Sequence, residues 1–192
     1  MEQAATEPGA AGQTATSPRH AGLSWIAGSL LVLLALAVLW QRGLPAFVAW
    51  ELARDHERCF GRSRLQARLW SSEPWQVREW LESKGTPVQP FPQRAGDVEL
   101  VGVRYCPLLD RVAAHVYYGG QQSYVSVYVF SGPARVGDGW QGTFGELRVR
   151  LLRSAGRTLA VVGSVESDVD AVTRAFRSSL ASRRLLTLAR PS

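Results

Sequence analysis

Beyond the first twenty residues the chain contains two histidines and two cysteines, His56, Cys59, Cys106 and His115. Thiolate and imidazole are borderline-to-soft donors that suit zinc or copper, so these four side chains make a candidate transition-metal centre. His56 and Cys59 stand three residues apart in a helical stretch, which puts both on one face. Cys106 ends a predicted strand, and His115 lies in the middle of the next, its antiparallel neighbour. The spacing is not that of a zinc finger, and closing the site requires the fold to bring helix and sheet together. Two other readings fit the same residues. In an oxidising compartment Cys59 and Cys106 could form a disulfide, worth about 3–4 kcal/mol in the chain-entropy model. Alternatively, both cysteines are small buried hydrophobes and His115 is a hydrogen-bonded core residue. Haem fits less well than copper or zinc, because the C-x-x-C-H attachment motif does not occur.

Hydrolytic and redox-enzyme motifs do not occur either. The sequence has no G-x-S-x-G elbow, no H-E-x-x-H, no Walker loop and no dinucleotide glycine pattern after a strand. Asp55 adjoins His56, but neighbouring residues on a helix point apart. Glu73, Glu79 and Glu82 read as a solvated helix face. The expectation is a protein that is not an enzyme.

The elements that must position the four residues begin at a membrane. Ala21 to Gln41 is one uncharged apolar run between His20 and Arg42. At about 1.5 Å per helical residue such a run spans a hydrocarbon core of roughly 30 Å. Trp25 and Trp40 sit near its ends, with Arg42 beyond, as membrane-interface residues do. The run is too long and too leucine-rich to its end for a cleaved signal, and no small-x-small exit site closes it. Residues 1–20 are rich in Ala, Gly, Thr and Pro and are expected to form a disordered tail. Residues 43–192 have the size of one domain with an ordinary core.

In that domain, Ala46 to Trp70 has helical character, with Phe47, Trp50 and Arg54 on one stripe. A second helix has Ser72 as cap, Pro74 in its first turn, a Val77/Trp80/Leu81 stripe and a stop at Gly85. A proline-bearing connector runs from Thr86 to Gly96. From Asp97 the period changes to two, predicting strands over 98–106, 111–118, 123–130, 147–153 and 157–163. A last helix opens at Ser167 with Val169, Val172, Phe176 and Leu180 inward. The expected class is α+β: one transmembrane helix, then a two-layer domain of two helices, about five antiparallel strands and a C-terminal helix.

The formal charge is +6, and its excess lies at the end, where Arg174, Arg177, Arg183, Arg184 and Arg190 have no acidic residue among them. Such a helix could touch anionic headgroups of the bilayer, although a solvated face explains it more simply. No nucleic-acid-binding motif accompanies the charge. Counting Arg19 against Arg42, Arg54 and Arg58, the positive-inside rule leans towards a cytoplasmic C-terminal domain.

Five segments follow one another in order: Asp55-His56-Glu57-Arg58-Cys59, a short helix and connector over Pro74 to Pro92, Leu100-Val101-Gly102-Val103-Arg104-Tyr105-Cys106, Ala113-Ala114-His115-Val116-Tyr117-Tyr118 and Val125-Ser126-Val127-Tyr128-Val129. In this order they resemble the extracytoplasmic domain of bacterial transmembrane anti-sigma factors of the zinc-finger type. The resemblance covers about residues 50–178. It implies an inner-membrane protein with a cytoplasmic N-terminus and a periplasmic domain, opposite to the charge count. It also implies a partner in the membrane or envelope, and an oxidising surrounding for Cys59 and Cys106. The H-x-x-x-C-x-x-C domain that grips the sigma factor in that family has no counterpart in the residues before the span. What the resemblance implies is therefore a sensory or regulatory module on its own anchor. Metal- or redox-handling through His56, Cys59, Cys106 and His115, or a structural place in a larger membrane complex, are the alternatives.

Overall fold

A computed structural model describes residues 19–60, 67–86, 91–108, 111–121, 123–131, 138–154 and 156–188. The tail expected over 1–20 falls almost wholly outside the described residues. The chain divides into two units, Met1–Trp40 and Gln41–Ser192.

In the first unit the described residues belong to helix α1, which runs Arg19–Phe60 and continues into the second unit. This one helix near the N-terminus is long and apolar enough to cross a membrane. Leu30, Leu33, Leu34 and Leu39 are exposed along it, as is Trp40. The side chains of Trp25 and Arg42 lie outside the described residues.

The second unit is built on one antiparallel sheet of eight strands. They are β1 Leu69–Trp70, β2 Arg94–Ala95, β3 Val98–Leu108, β4 Arg111–Gly119, β5 Tyr124–Phe130, β6 Gln141–Phe144, β7 Leu147–Ser154 and β8 Arg157–Gly163. Seven lie in the order β1-β3-β4-β5-β8-β7-β6, and β2 pairs with β3. The five predicted strands are all present, within a few residues of their expected bounds. The additional strands are two to four residues long, too short for an alternating pattern to mark them.

Helix α2 is Pro74–Ser83 and helix α3 is Glu166–Leu188. Gly85 closes α2 with φ at 75°, a left-handed conformation that a side chain would strain. Ser72 does not cap it. Glu73 holds the N-cap position without a side-chain hydrogen bond, and the Glu73 amide donates to Ser71 Oγ at 3.0 Å.

The sheet is covered on both faces, so the domain has three layers rather than two. Val77 and Leu81 of α2 and Val169, Val172 and Phe176 of α3 pack on Leu100, Val116, Val127 and Val161. Val48, Ala49, Leu52 and Ala53 of α1 pack with Tyr128, Leu151, Ala160 and Val162 on the other face. The buried stripe of α1 is thus displaced from the expected one. Phe47 and Trp50 are exposed and stacked on each other, and Arg54 lies 5.4 Å over the Trp50 ring. The small Ala49 and Ala53 face the sheet instead. The helical character expected up to Trp70 also stops earlier, with α1 ending at Phe60 and Leu69–Trp70 pairing as a strand. Pro45 lies inside α1, so the apolar run and the stretch from Ala46 belong to one helix.

One irregularity decides what the α1 face carries. In β3 the register shifts between Leu100 and Gly102. Without that bulge, alternation from Val98 and Leu100 would put Arg104 and Cys106 on the α2/α3 face. With it, Val103 joins the α2/α3 cluster while Arg104, Cys106 and Leu108 turn to α1.

Candidate functional site

The last turns of α1 lie over β3, β4 and β5, and there the apolar α1 face gives way to polar groups. Asp55, His56 and Cys59 come from the helix, separated by one, three and four residues. Arg104 and Cys106 come from β3, His115 and Tyr117 from β4, Ser126 and Tyr128 from β5. Register makes the sheet residues neighbours: Arg104 stands opposite His115, His115 opposite Tyr128 and Tyr117 opposite Ser126.

Their contacts form one connected network. His56 Nδ1 and His115 Nε2 both meet Ser126 Oγ, at 2.8 and 2.7 Å. His115 Nδ1 lies 3.2 Å from Cys106 Sγ and 3.6 Å from Asp55 Oδ2. The same carboxylate oxygen accepts from the Tyr128 hydroxyl at 2.9 Å and from the Cys59 thiol at 3.6 Å. Arg104 donates to Cys59 Sγ and lies 3.8 Å from Asp55 Oδ2. Its guanidinium also sits 5.8 Å over the Tyr117 ring. Phe60 roofs the cluster, stacking on Tyr124 at 4.7 Å and meeting His56 at 4.6 Å.

Burial sets the protonation states. His56 is pushed down to about 4 by loss of solvent. His115, fully buried, is also driven well below its ordinary value, first by burial and then by the Arg104 charge and His56. Both imidazoles are therefore neutral at neutral pH. The arrangement in which His115 Nε2–H donates to Ser126, and Ser126 O–H donates to His56 Nδ1, then satisfies these contacts and leaves the His115 Nδ1 lone pair to accept from the Cys106 thiol. Cys106 is pushed up by its hydrogen bond with Cys59, by burial and by the Asp55 charge, with Arg104 opposing. Tyr128 is raised by burial and then by Asp55, which keeps its hydroxyl a donor. Burial lowers Arg104, but the anionic forms of Cys106, Tyr117, Cys59 and Asp55 around it outweigh that, and the net direction is up.

All four sequence-predicted residues lie in this network, both cysteines as free buried thiols, Cys106 against His115 and Cys59 against Asp55 and Arg104. Asp55, Cys59 and His115 bring one donor atom each within 4.8 Å of the others. His56 is turned to Ser126 instead. Sequence reasoning missed Asp55, Arg104, Ser126 and Tyr128. The signals were present: Asp55 precedes Cys59 by one helical turn, Arg104 precedes Cys106 by one strand period, and Ser126 and Tyr128 share a face of β5.

The predicted basic patch is separate. Arg174 and Arg177 are exposed on α3 and border a shallow cleft with Trp140, Gln141 and Arg150. The side chains of Arg183 and Arg184, and all of Arg190, lie outside the described residues. The chain matches no known protein family, no curated protein and no solved structure.

Proposed function

We propose that this chain is a single-pass protein of a bacterial inner membrane, with its N-terminus cytoplasmic and its α+β domain periplasmic. It serves as a sensory or regulatory module, related to the extracytoplasmic half of membrane anti-sigma factors, and acts through protein contacts. One observation carries the reading. His56, Cys59, Cys106 and His115, the His and Cys positions of the resemblance, all fall in one buried network at the end of the helix that also holds the apolar run. A change in that network alters how the end of α1 sits on the sheet, and so what surface the domain offers a partner. The role is non-enzymatic, because the reactive groups are shielded from substrate beneath α1. A second reading, a redox-handling accessory protein, is favoured by the two free, buried thiols that belong to the same network.

The test uses the full chain in a bacterial inner membrane, with a photo-crosslinking residue in place of exposed Trp70, Trp75 or Val112. A discrete membrane or envelope adduct is expected, whose yield changes with a thiol oxidant and stops changing in Cys59→Ser. An alkaline phosphatase fusion at the C-terminus is expected to be active. A chain that forms no adduct at any of the three positions, or an inactive fusion, overturns the proposal.

A further inference from the structure

We propose that Asp55, Cys59 and His115 form a three-ligand zinc site whose fourth position takes an anionic oxygen ligand. The site goes beyond the regulatory reading and does not depend on it.

Among the described residues these three are the group whose donor atoms all lie within 4.8 Å of one another. Zinc bonds of about 2.3 Å to sulfur and 2.0–2.2 Å to nitrogen or oxygen give tetrahedral donor-to-donor edges of about 3.3–3.7 Å. Two of the three edges already have that length, 3.6 Å from Asp55 Oδ2 to Cys59 Sγ and 3.6 Å from Asp55 Oδ2 to His115 Nδ1. Asp55 and Cys59 lie one turn apart on the same face of α1, and His115 comes from β4, so the ion ties the helix end to the sheet. The Cys106 thiol, 3.2 Å from His115 Nδ1, stands outside the group, and the metal takes the lone pair to which that thiol donates in the metal-free protein.

Each ligand has a further partner that fixes it. Ser126 engages His115 Nε2 and so presents Nδ1, Tyr128 donates to Asp55 Oδ2, and Arg104 donates to the Cys59 sulfur. Thiolate with imidazole selects zinc over magnesium or calcium, and the carboxylate disfavours monovalent copper. Coordination releases the Cys59 thiol proton to solvent.

Three protein ligands leave a tetrahedral ion one position for water or an exogenous group. His115 is fully buried, whereas the Asp55 and Arg104 side chains are 18% and 19% exposed, so the group is reached from their side. Charge selects what enters. Zinc, one thiolate, one carboxylate and a neutral imidazole sum to zero, and the Arg104 guanidinium, 3.8 Å from Asp55 Oδ2, leaves one positive charge for an anion to balance. Two buried donors in the same cluster also lack partners. They are Arg104 Nε and the hydroxyl of Tyr117, whose ring lies 5.8 Å from that guanidinium. An oxygen anion, hydroxide or a carboxylate, is the strong acceptor such donors need.

The experiment is a titration of the full chain, purified reduced in mild detergent without chelator, with cobalt(II) as the probe and zinc as competitor. One cobalt per chain is expected, with four-coordinate ligand-field bands and a thiolate-to-cobalt charge transfer that zinc abolishes. Acetate added to the cobalt form should shift the ligand-field bands. Cys59→Ser and Asp55→Asn should each weaken cobalt binding by more than the about 10–100-fold of an outer-shell loss, which Ser126→Ala should show. Cys106→Ser should keep both the charge-transfer band and the affinity. Tyr117→Phe should keep cobalt but weaken acetate by about tenfold or more, as for a lost hydrogen bond to a charged group. Should a variant fail to fold, X-ray absorption of the zinc-loaded wild type counts its ligands, with one sulfur at about 2.3 Å expected. Absence of cobalt binding, an octahedral spectrum, a second sulfur or bands indifferent to acetate overturns the site. Thiol-dependent cross-linking without metal binding sinks the zinc site alone, and stoichiometric zinc with no envelope adduct sinks the regulatory reading alone.

Discussion

Tyr128 and Asp55 stand 73 residues apart in the chain, and the tyrosine hydroxyl donates to the carboxylate at 2.9 Å. The ring stacks on His115 at 4.1 Å, so one residue of β5 orients both an acid from α1 and an imidazole from β4. Tyr128→Phe keeps the stack and removes one donor to a partly buried charge. A loss of about 1.5–3 kcal/mol is expected, as for hydrogen bonds to charged groups. Urea denaturation of wild type and variant measures it, and equal midpoints would show that water replaces the hydroxyl.

Ser126 is the single group shared by two buried imidazoles. Ser126→Ala should leave ring nitrogens of both His56 and His115 without that partner, at about 1–3 kcal/mol for each nitrogen left unpaired. Ser126→Thr, which keeps the hydroxyl, should cost less. Thermal melts of the two variants side by side give the comparison. If they fall equally, the cost is one of packing.

At Gly102, a Cβ would lie 2.5 Å from the Leu69 carbonyl oxygen, closer than any real contact. Gly102→Ala should therefore push β1 off β3. Hydrogen exchange reports it directly, because the Arg68 and Ser71 amides donate to the Val103 and Val101 carbonyls. Those two amides should lose protection while the central β4–β5 amides keep theirs.

Arg150 of β7 finds its partner on α3. Its Nε and Nη2 lie 3.1 and 2.8 Å from Asp170 Oδ1 on α3. Asp170→Asn should cost about 1 kcal/mol or less at low salt, the range of exposed and half-exposed pairs. The difference should shrink in high salt. A difference insensitive to salt would assign it to hydrogen bonding alone.

Both thiols are buried, at 6% exposure for Cys59 and 2% for Cys106. Alkylation should be slow in the folded protein, complete within minutes in denaturant, and slowest at Cys106, whose thiolate is disfavoured. Mass spectrometry after timed quenching measures both sites. Rapid labelling of Cys106 in the folded state would mean that α1 lifts from the sheet.

The local patterns stood in the sequence. An uncharged apolar run, the stop at Gly85, period-two alternation from Val98 onward and the Val169/Val172/Phe176 stripe are each properties of neighbouring residues. Side-chain direction repeats every 2.0 or 3.6 residues whatever the rest of the chain does. Pairing phase is different, because it depends on which strand lies alongside and in what register. The bulge after Leu100 reverses the facing of Arg104 and Cys106, and alternation in the sequence gave no sign of it. Tertiary structure alone decided that α1 covers the second sheet face, that Asp55 joins Cys59 and His115, and that His56 turns to Ser126. The sequence determined which groups could do chemistry. Only the register of β3 on β4, and the docking of α1 over both, decided which of them meet.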